Sequence, residues 1–318
     1  MKTIHKHILN LFLVVTAFGS LHGQQRASST QAIVDAQTRQ PTTEAVDQTV
    51  NELVREAREA AQKEAIREDA GDVAFLGGKA PSPDRFFVRF QNLLEYVSNA
   101  DYRGSTGRAD LMWNPAIEGG WSRQMGSGIG VAASVRVDSV KFVEVQENDF
   151  WGPSGDVQVF WQMKPSMPVL RAGFRPSSYS SMDTDQRILD SLSNYAGFEH
   201  SVPVNQGRTA LFYGFEYAQF HTSPSFSDRD AFKPYGGVTQ VLRDDLFLQL
   251  FYVFQWSDYH KLNREDSRNI AGLSLTHVVN QNLQLRLGGT FTDNDSNLTL
   301  AEYQSFNAGL NAVLNWKF

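Results

Sequence analysis

The last sixteen residues of the chain, 303–318, alternate between two kinds of side chain. Every second residue from Phe306 to Phe318 is apolar, whereas the residues between them are mostly polar or small. Because side chains on a β-strand point to opposite faces in turn, this pattern predicts a strand with one apolar face and one polar face. Trp316 and Phe318 carry the apolar face to the last residues, which would fray in a soluble domain. The pattern therefore favours a strand whose apolar face contacts lipid.

This ending resembles the carboxy-terminal assembly signal of bacterial outer-membrane β-barrel proteins, which also end on an aromatic residue. The resemblance covers Phe306 to Phe318. It implies an outer-membrane location, outer-membrane lipid as a partner, and insertion by the barrel-assembly machinery. The residues predicted to carry the signal are Phe306, Leu310, Leu314, Trp316 and Phe318.

Residues 1–23 have the pattern of a secretory signal peptide. Lys2 and Lys6 precede an apolar run from Ile8 to Phe18, and small residues follow at Gly19 and Gly23. The run is too short for a spanning helix, which needs roughly 20 residues. We therefore expect cleavage of this segment and export through the periplasm.

Residues 24–83 read as a periplasmic segment with three parts. Gln24 to Pro41 is polar and is predicted to be disordered. A helix is predicted from Thr43 to Ala70, and Gly71 to Pro83 is a linker rich in glycine and proline. The helix could mediate oligomerisation, enter and occlude a barrel, or act as a solvated tether. The oligomeric state stays open.

Residues 84–318 contain repeated alternating segments separated by turn signals. They predict an all-β fold, a transmembrane antiparallel up-and-down β-barrel of about 12 strands. The predicted strands are Phe86–Ser98, Leu111–Arg123, Ile129–Asp138, Asp156–Lys164, Val169–Ser178, Leu192–Val202, Arg208–His221, Asp230–Leu242, Leu246–Tyr259, Asn269–Val279, Leu283–Phe291 and Glu302–Phe318.

Two further features of residues 84–318 agree with a membrane barrel. An even number of strands places both ends of the barrel on the periplasmic side, with short turns after even strands and longer polar loops after odd strands. One such predicted loop contains Asn263 to Asp266. Five of the six tryptophans fall near strand ends on the apolar face, as in an aromatic girdle, and Trp151 is predicted to lie in a loop.

Composition excludes several classes of function. The formal net charge of −6 argues against nucleic acid as a partner. The absence of cysteine excludes a disulfide framework, a thiolate metal site and a lipid anchor on cysteine. We see no metal-ligand spacing and expect no cofactor.

The residues predicted to face the interior include five arginines and five acids. A basic ladder of Arg136, Arg171 and Arg175 on one wall would favour anionic solutes. Alternatively, the arginines pair with acids across the lumen and close it. The predicted lumen-facing residues are Arg89, Glu95, Asp110, Glu118, Arg136, Asp138, Arg171, Arg175, Glu216 and Arg286.

Three classes of function follow from a barrel of this size. The first is porin-like or channel-like passage of small solutes. The second is a secretion, surface-assembly or structural barrel without an open pore, because a helix, a linker and twelve strands resemble autotransporter translocators. Gln24 to Ala70, however, leaves no room for a secreted passenger. The third is lipid hydrolysis, which we disfavour because Ser274 and His277 are predicted on opposite faces of one strand.

Overall fold

The computed structural model describes residues 85–102, 107–125, 128–164, 167–204 and 208–318. The predictions for the signal peptide at 1–23, and for the disordered segment, helix and linker at 24–83, lie outside the described residues. No helix among the described residues is long and apolar enough to cross a membrane.

Twelve antiparallel strands form a closed barrel in which each strand pairs with its neighbours in the chain, and β1 pairs with β12. The predicted fold class is therefore confirmed. The strands are β1 (Arg85–Val97), β2 (Asp110–Gln124), β3 (Ile129–Phe142), β4 (Phe150–Trp161), β5 (Val169–Ser181), β6 (Arg187–Val204), β7 (Thr209–Ser223), β8 (Arg229–Arg243), β9 (Leu246–Tyr259), β10 (Arg264–Val278), β11 (Leu283–Ser296) and β12 (Tyr303–Lys317).

The last strand closes the barrel, as its sequence predicts. β12 pairs with β1 in a register that places Phe90 opposite Leu314. The Phe318 N–H donates to the Phe86 carbonyl at 2.9 Å, so the pairing continues to the last residue of the chain. We call this end of the barrel the terminal end, and the opposite end, which carries the connections after odd-numbered strands, the loop end.

Several strands extend further toward the loop end than their sequences predict. β4 begins at Phe150 rather than Asp156, so Trp151 lies in a strand and its predicted loop position is wrong. β10 begins at Arg264 rather than Asn269, and β11 continues to Ser296 rather than Phe291. β6 begins at Arg187 instead of Leu192, and β3 ends at Phe142 instead of Asp138.

These boundaries were misplaced because the apolar alternation ends before the hydrogen-bonded ladder does. On β11 the outward positions after Phe291 are Asp293 and Asp295, yet Asp295 still pairs with Ser267 of β10. Polar outward residues are expected where a barrel projects beyond the hydrocarbon layer into water. The longer strands shorten the loops, so the connection after β3, residues 143–149, spans as many residues as the one after β4, residues 162–168. The predicted contrast between long loops and short turns is thus weaker than expected.

The outer wall of the barrel is apolar and exposed. Neighbouring strands present Leu250, Leu273, Leu287 and Leu310, each with about half of its surface exposed. A closed antiparallel barrel satisfies every strand edge, and an apolar outer wall is the surface that such a barrel presents to lipid. The wall is therefore built to span a membrane.

The interior is layered from one end to the other. A large apolar cluster occupies the side of the loop end formed by β12 and β1 to β6, and a smaller one, around Phe247, lies near the terminal end. Polar and charged side chains occupy much of the space between them. The loop-end cluster comprises Val97, Ala100, Tyr102, Val140, Phe142, Val145, Phe150, Tyr179, Ile188, Leu189 and Tyr303, with Met112 packed against it.

Candidate functional site: the lumen

Glu216 is the centre of a charged cluster at mid-lumen. It points inward from β7 and only 3% of its surface is exposed. Its carboxylate lies 3.2 Å from Nζ of Lys233, 3.1 Å from Nη1 of Arg175 and 3.5 Å from Nη2 of Arg171. Lys233 stands directly opposite Glu216 on β8, whereas both arginines reach it from β5, past β6. Three cations thus share one buried carboxylate.

The two arginines of this cluster also bind other carboxylates. Arg171 lies 3.4 Å from Glu199 on the neighbouring strand β6. Arg175 donates from Nε to Asp156 of β4 at 2.9 Å, and its guanidinium lies 3.7 Å above the ring of Tyr195. The Tyr195 hydroxyl donates to the other oxygen of Asp156 at 2.7 Å.

We call this group of side chains the mid-lumen network. Its three cations are matched by three carboxylates, so its formal charges balance. A buried charge is tolerated when it is paired and hydrogen-bonded in this way. The network consists of Asp156, Arg171, Arg175, Tyr195, Glu199, Glu216 and Lys233.

The wall formed by β1 to β3 carries separate ion pairs. Arg89 lies 3.4 Å from Glu118, which stands opposite it on β2. Arg136 donates to Asp138 of its own strand at 2.6 Å and to the Gln91 side chain of β1 at 3.1 Å. Charges on this wall therefore pair along one strand or between neighbouring strands.

A polar cavity of about 50 Å³ separates the mid-lumen network from Arg136 and Ser134 on β3. It is bounded mainly by hydroxyl and charged side chains, including Ser154 and Ser193, with Phe220 and Ala231 toward the loop end. One water needs roughly 10–15 Å³ of such volume, so the cavity has room for a few waters.

Several buried polar atoms facing the lumen make no hydrogen bond within the described part of the chain. They include the hydroxyl oxygens of Ser191 and Ser193 on β6, those of Thr290 and Thr292 on β11, and the amide oxygen of Asn311 on β12. Buried polar groups are satisfied by water when protein does not satisfy them. The interior of this barrel is therefore suited to hold water along two opposite walls.

The three arginines of the predicted basic ladder are not free of ion pairs. Arg136, Arg171 and Arg175 all face inward, but each lies within ion-pair distance of at least one carboxylate. The arginines pair with acids, as the alternative prediction has it, but they do not reach across the lumen to do so. The pairs form along a strand, between neighbours or past one strand, rather than across the full lumen. None of these three arginines therefore offers an unpaired positive charge to attract solutes.

The other predicted lumen-facing residues have local roles. Asp110 is buried at the start of β2 and accepts the backbone N–H groups of Leu111, Glu144 and Val145 at 2.6, 2.8 and 2.7 Å. It holds the β3–β4 loop, and no arginine within the described part of the chain forms an ion pair with it. Arg286 donates to the Thr276 hydroxyl of β10 at 3.2 Å. Glu95 is buried on β1.

Charged residues also hold two loops together at the loop end. The Arg108 backbone N–H and Nε donate to Asp101 at 2.7 and 3.0 Å, and its Nη2 contacts Glu147 of the β3–β4 loop. Hydrogen bonds to Glu147 and Asp101 raise the pKa of the Arg108 guanidinium. Burial raises the pKa of Asp149, although the N–H that Phe142 donates to it at 2.7 Å opposes that rise.

Sequence reasoning missed several of the residues that build the interior. Asp156, Glu199 and Lys233 all belong to the mid-lumen network and were omitted, although each alternates with outward apolar residues. The sequence pattern also places Arg264 and Arg268 at the loop end outside any strand, because the apolar alternation predicts a start of β10 only at Asn269, whereas the strand begins at Arg264. Correct strand boundaries would have placed both on the inward face.

The geometry does not assemble a catalytic pair from Ser274 and His277. Ser274 is buried on the lumen side of β10, whereas the His277 side chain lies on the outer face, 3.3 Å from Asp245. Among the described residues, no group of three or more histidine, aspartate or glutamate side chains is arranged to hold a metal ion.

Four residues of the predicted assembly signal lie on the outer face of β12, and Phe318 directly follows the strand. Phe306, Leu310 and Leu314 are exposed there, and Phe318 is the most exposed of them at 76%. Trp316 packs edge-to-face against Phe90 of β1, with ring centroids 5.7 Å apart. Recognition of this face by an assembly machinery stays a prediction.

No protein family matches the sequence, and no curated protein matches it. Solved structures do resemble the barrel. An outer-membrane channel from Pseudomonas putida F1 superposes with a TM-score of 0.50 at 7% identity, covering 78% of this chain and 100% of that one. The KdgM porin gives a TM-score of 0.41 at 10% identity, covering 70% of this chain and 97% of that one. The translocator domain of the autotransporter NalP from Neisseria meningitidis gives 0.41 at 11% identity, covering 82% and 96%.

The likeness to the Pseudomonas putida structure shows a shared fold. This chain has the fold of a bacterial outer-membrane β-barrel, as the resemblance of its last strand implies.

Proposed function

We propose that this protein is a porin-like or channel-like barrel that passes small polar solutes across the bacterial outer membrane. The observation that carries the proposal is the polar cavity at mid-lumen, between Arg136 on one wall and Arg175, Glu216 and Lys233 on the other. A barrel that served only as an anchor could fill this position with apolar side chains. Polar walls favour water, and water-filled interiors conduct polar solutes.

The dimensions of the interior limit the solutes. The cavity of about 50 Å³ is far below the several hundred Å³ typical of sites for drug-sized ligands. The balanced charges of the mid-lumen network favour weak selection between anions and cations at that level. Passage would also require the loop-end apolar cluster around Phe142 and Tyr179 to move, since it covers part of one mouth.

We also propose where the protein lies and which partners it contacts. The exposed apolar wall supports outer-membrane lipid as its partner, with the terminal end on the periplasmic side. The apolar face of β12, ending at Phe318, supports insertion by the barrel-assembly machinery.

Conductance tests the proposal directly. The full-length protein, refolded and inserted into planar bilayers, should give discrete single-channel steps. A second preparation without residues 24–80 separates the barrel from the segment before it. Larger steps in the deletion would place that segment in the conduction path, and equal steps would make it a tether.

A barrel without an open pore, serving secretion, surface assembly or structure, is the second candidate. It is supported by the eleven buried apolar residues of the loop-end cluster, which occupy part of that mouth of the lumen. Absence of conductance from both preparations, with correct folding shown by heat-modifiable migration, would favour this candidate over the channel.

A further inference from the structure

Arginine and aromatic side chains alternate across four neighbouring strands at the loop end of the lumen. The strand register places Phe220 of β7 opposite Arg229 of β8, Arg229 opposite Tyr259 of β9, and Tyr259 opposite Arg264 of β10. The Arg229 guanidinium carbon lies 3.9 Å above the Phe220 ring, and that of Arg264 lies 4.3 Å above the Tyr259 ring. We call these four residues the arginine–aromatic row.

Arg229 lies in this row without a matching negative charge. Only 1% of its surface is exposed. Its Nη1 donates to the Ser227 backbone carbonyl at 3.2 Å, and its Nε makes no hydrogen bond. Among residues 85–102, 107–125, 128–164, 167–204 and 208–318, no carboxylate lies within ion-pair distance of it. The nearby Asp266 is bound by Arg264 and by the Ser296 hydroxyl.

A buried guanidinium without a carboxylate is costly, because desolvation of the charge is not offset by an ion pair. Stacking on Phe220 recovers part of that cost through the ring face. The Phe220 ring covers only the face of the guanidinium. The N–H groups at the edge of the guanidinium are not covered by the ring, and such N–H groups bind carboxylate, sulfate and phosphate in the plane of the guanidinium.

The row also adjoins the lumen cavity. Phe220, beneath Arg229, and Ala231, two residues further along the same face of β8, both line the cavity on its loop-end side. A solute in the cavity therefore lies one layer of side chains from Arg229. Because Arg229 points to the lumen, lipid headgroups at the outer wall do not reach it.

We propose that Arg229 is the centre of an anion-binding site at the loop end, which holds a carboxylate, sulfate or phosphate group of a small solute. Arg229 supplies the uncompensated charge, and Phe220 and Tyr259 orient its guanidinium. The site differs from the mid-lumen network, where the charges balance. The inference does not require an open pore, since a closed barrel could bind an anion here.

Thermal unfolding of the full-length protein in detergent tests this site with sodium sulfate as the probe and sodium chloride at matched ionic strength as the reference. We expect sulfate to raise the melting temperature by a few degrees and to saturate, because a ligand of the native state stabilises it by mass action. Arg229→Gln should abolish the response, and Arg229→Lys should weaken it. Arg187→Gln is the matched control, since Arg187 is exposed and pairs with Asp190; it should retain the full response.

A second variant keeps the test decisive if Arg229→Gln does not fold. Ser227 is buried beside Arg229, so Ser227→Asp should supply the missing carboxylate within the chain. It should raise the melting temperature without sulfate and remove the response to sulfate. The proposal is overturned if sulfate and chloride act alike on the natural protein, or if Ser227→Asp responds to sulfate as the natural protein does.

Discussion

Arg175 on β5 and Glu216 on β7 meet at 3.1 Å although a whole strand, β6, separates them along the barrel wall. Both side chains lean over the lumen surface of β6, where Tyr195 stacks beneath the Arg175 guanidinium. The contact joins non-adjacent strands through their side chains alone. It therefore braces the barrel wall and, at the same time, places charged side chains inside the lumen.

Loss of the Glu216 charge should destabilise the barrel strongly. Glu216→Gln leaves Arg171, Arg175 and Lys233 with one carboxylate fewer in a buried site. Breaking a buried ion pair by removing one partner costs about 3–5 kcal/mol. The free energy of unfolding, measured by urea titration of the barrel in detergent, should fall by that amount.

The matched control is the charge-balanced double variant, Glu216→Gln with Lys233→Met. It removes one charge of each sign, so it should be less destabilised than the sum of the two single variants by about 1 kcal/mol or more. Strict additivity would mean that the two side chains do not interact energetically.

Charge selection at mid-lumen should respond to Glu199. Its side chain is only partly buried and binds Arg171 alone among the contacts described above. Glu199→Gln leaves the mid-lumen network with three cations and two carboxylates, so we expect the anion-to-cation permeability ratio to rise roughly twofold. Reversal potentials in a salt gradient measure this ratio. The control is Glu265→Gln, which changes an exposed residue on the outer face of β10 and should leave the permeability ratio unaltered. Equal shifts of the ratio in both variants would show that the selection does not arise from the charges at mid-lumen.

Deletion of Phe318 should impair assembly of the barrel more than export. The Phe318 N–H closes the pairing with Phe86 at 2.9 Å, and its ring ends the apolar face of β12. We expect the variant to reach the periplasm but to give less heat-modifiable barrel in outer-membrane fractions. Phe318→Trp retains an aromatic end and should assemble normally. Unchanged assembly after the deletion would disprove the proposed role of this residue.

A cation on the outer wall should lower the free energy of unfolding only where that wall contacts the hydrocarbon of the membrane. Leu250 lies on the outer face of β9 between Val238 and Leu273, and half of its surface is exposed. Leu250→Arg should destabilise the barrel in lipid vesicles by about 2–4 kcal/mol, the cost of arginine at the bilayer midplane.

The control for the outer wall is Asp295→Arg, at an exposed outward position near the loop end of β11. There the side chain would meet water, so the free energy of unfolding should change little. If the two variants were equally stable, the outer wall around Leu250 would not be in hydrocarbon.

The accuracy of the strand predictions varied with the length of the apolar alternation. β9 was predicted with its observed bounds, Leu246–Tyr259, because apolar residues occupy every outward position from Leu246 to Trp256. The predicted start of β10, Asn269, lies five residues after the observed start at Arg264, because the first outward residues of this strand are polar. There the backbone ladder continues without the hydrophobic signal from which a strand is recognised in sequence.

Which side of the wall each residue faces was determined by the sequence itself, from the outward Leu310 to the inward Arg171 and Glu216. Alternation of faces is a local property of an extended chain with period two, so it can be read without knowing the fold. Only the tertiary structure decided which charges meet. Contacts such as Arg175 with Glu216, or the isolation of Arg229 among aromatic rings, depend on the register of all intervening strands once the sheet closes into a barrel, and on how far each side chain reaches over its neighbour.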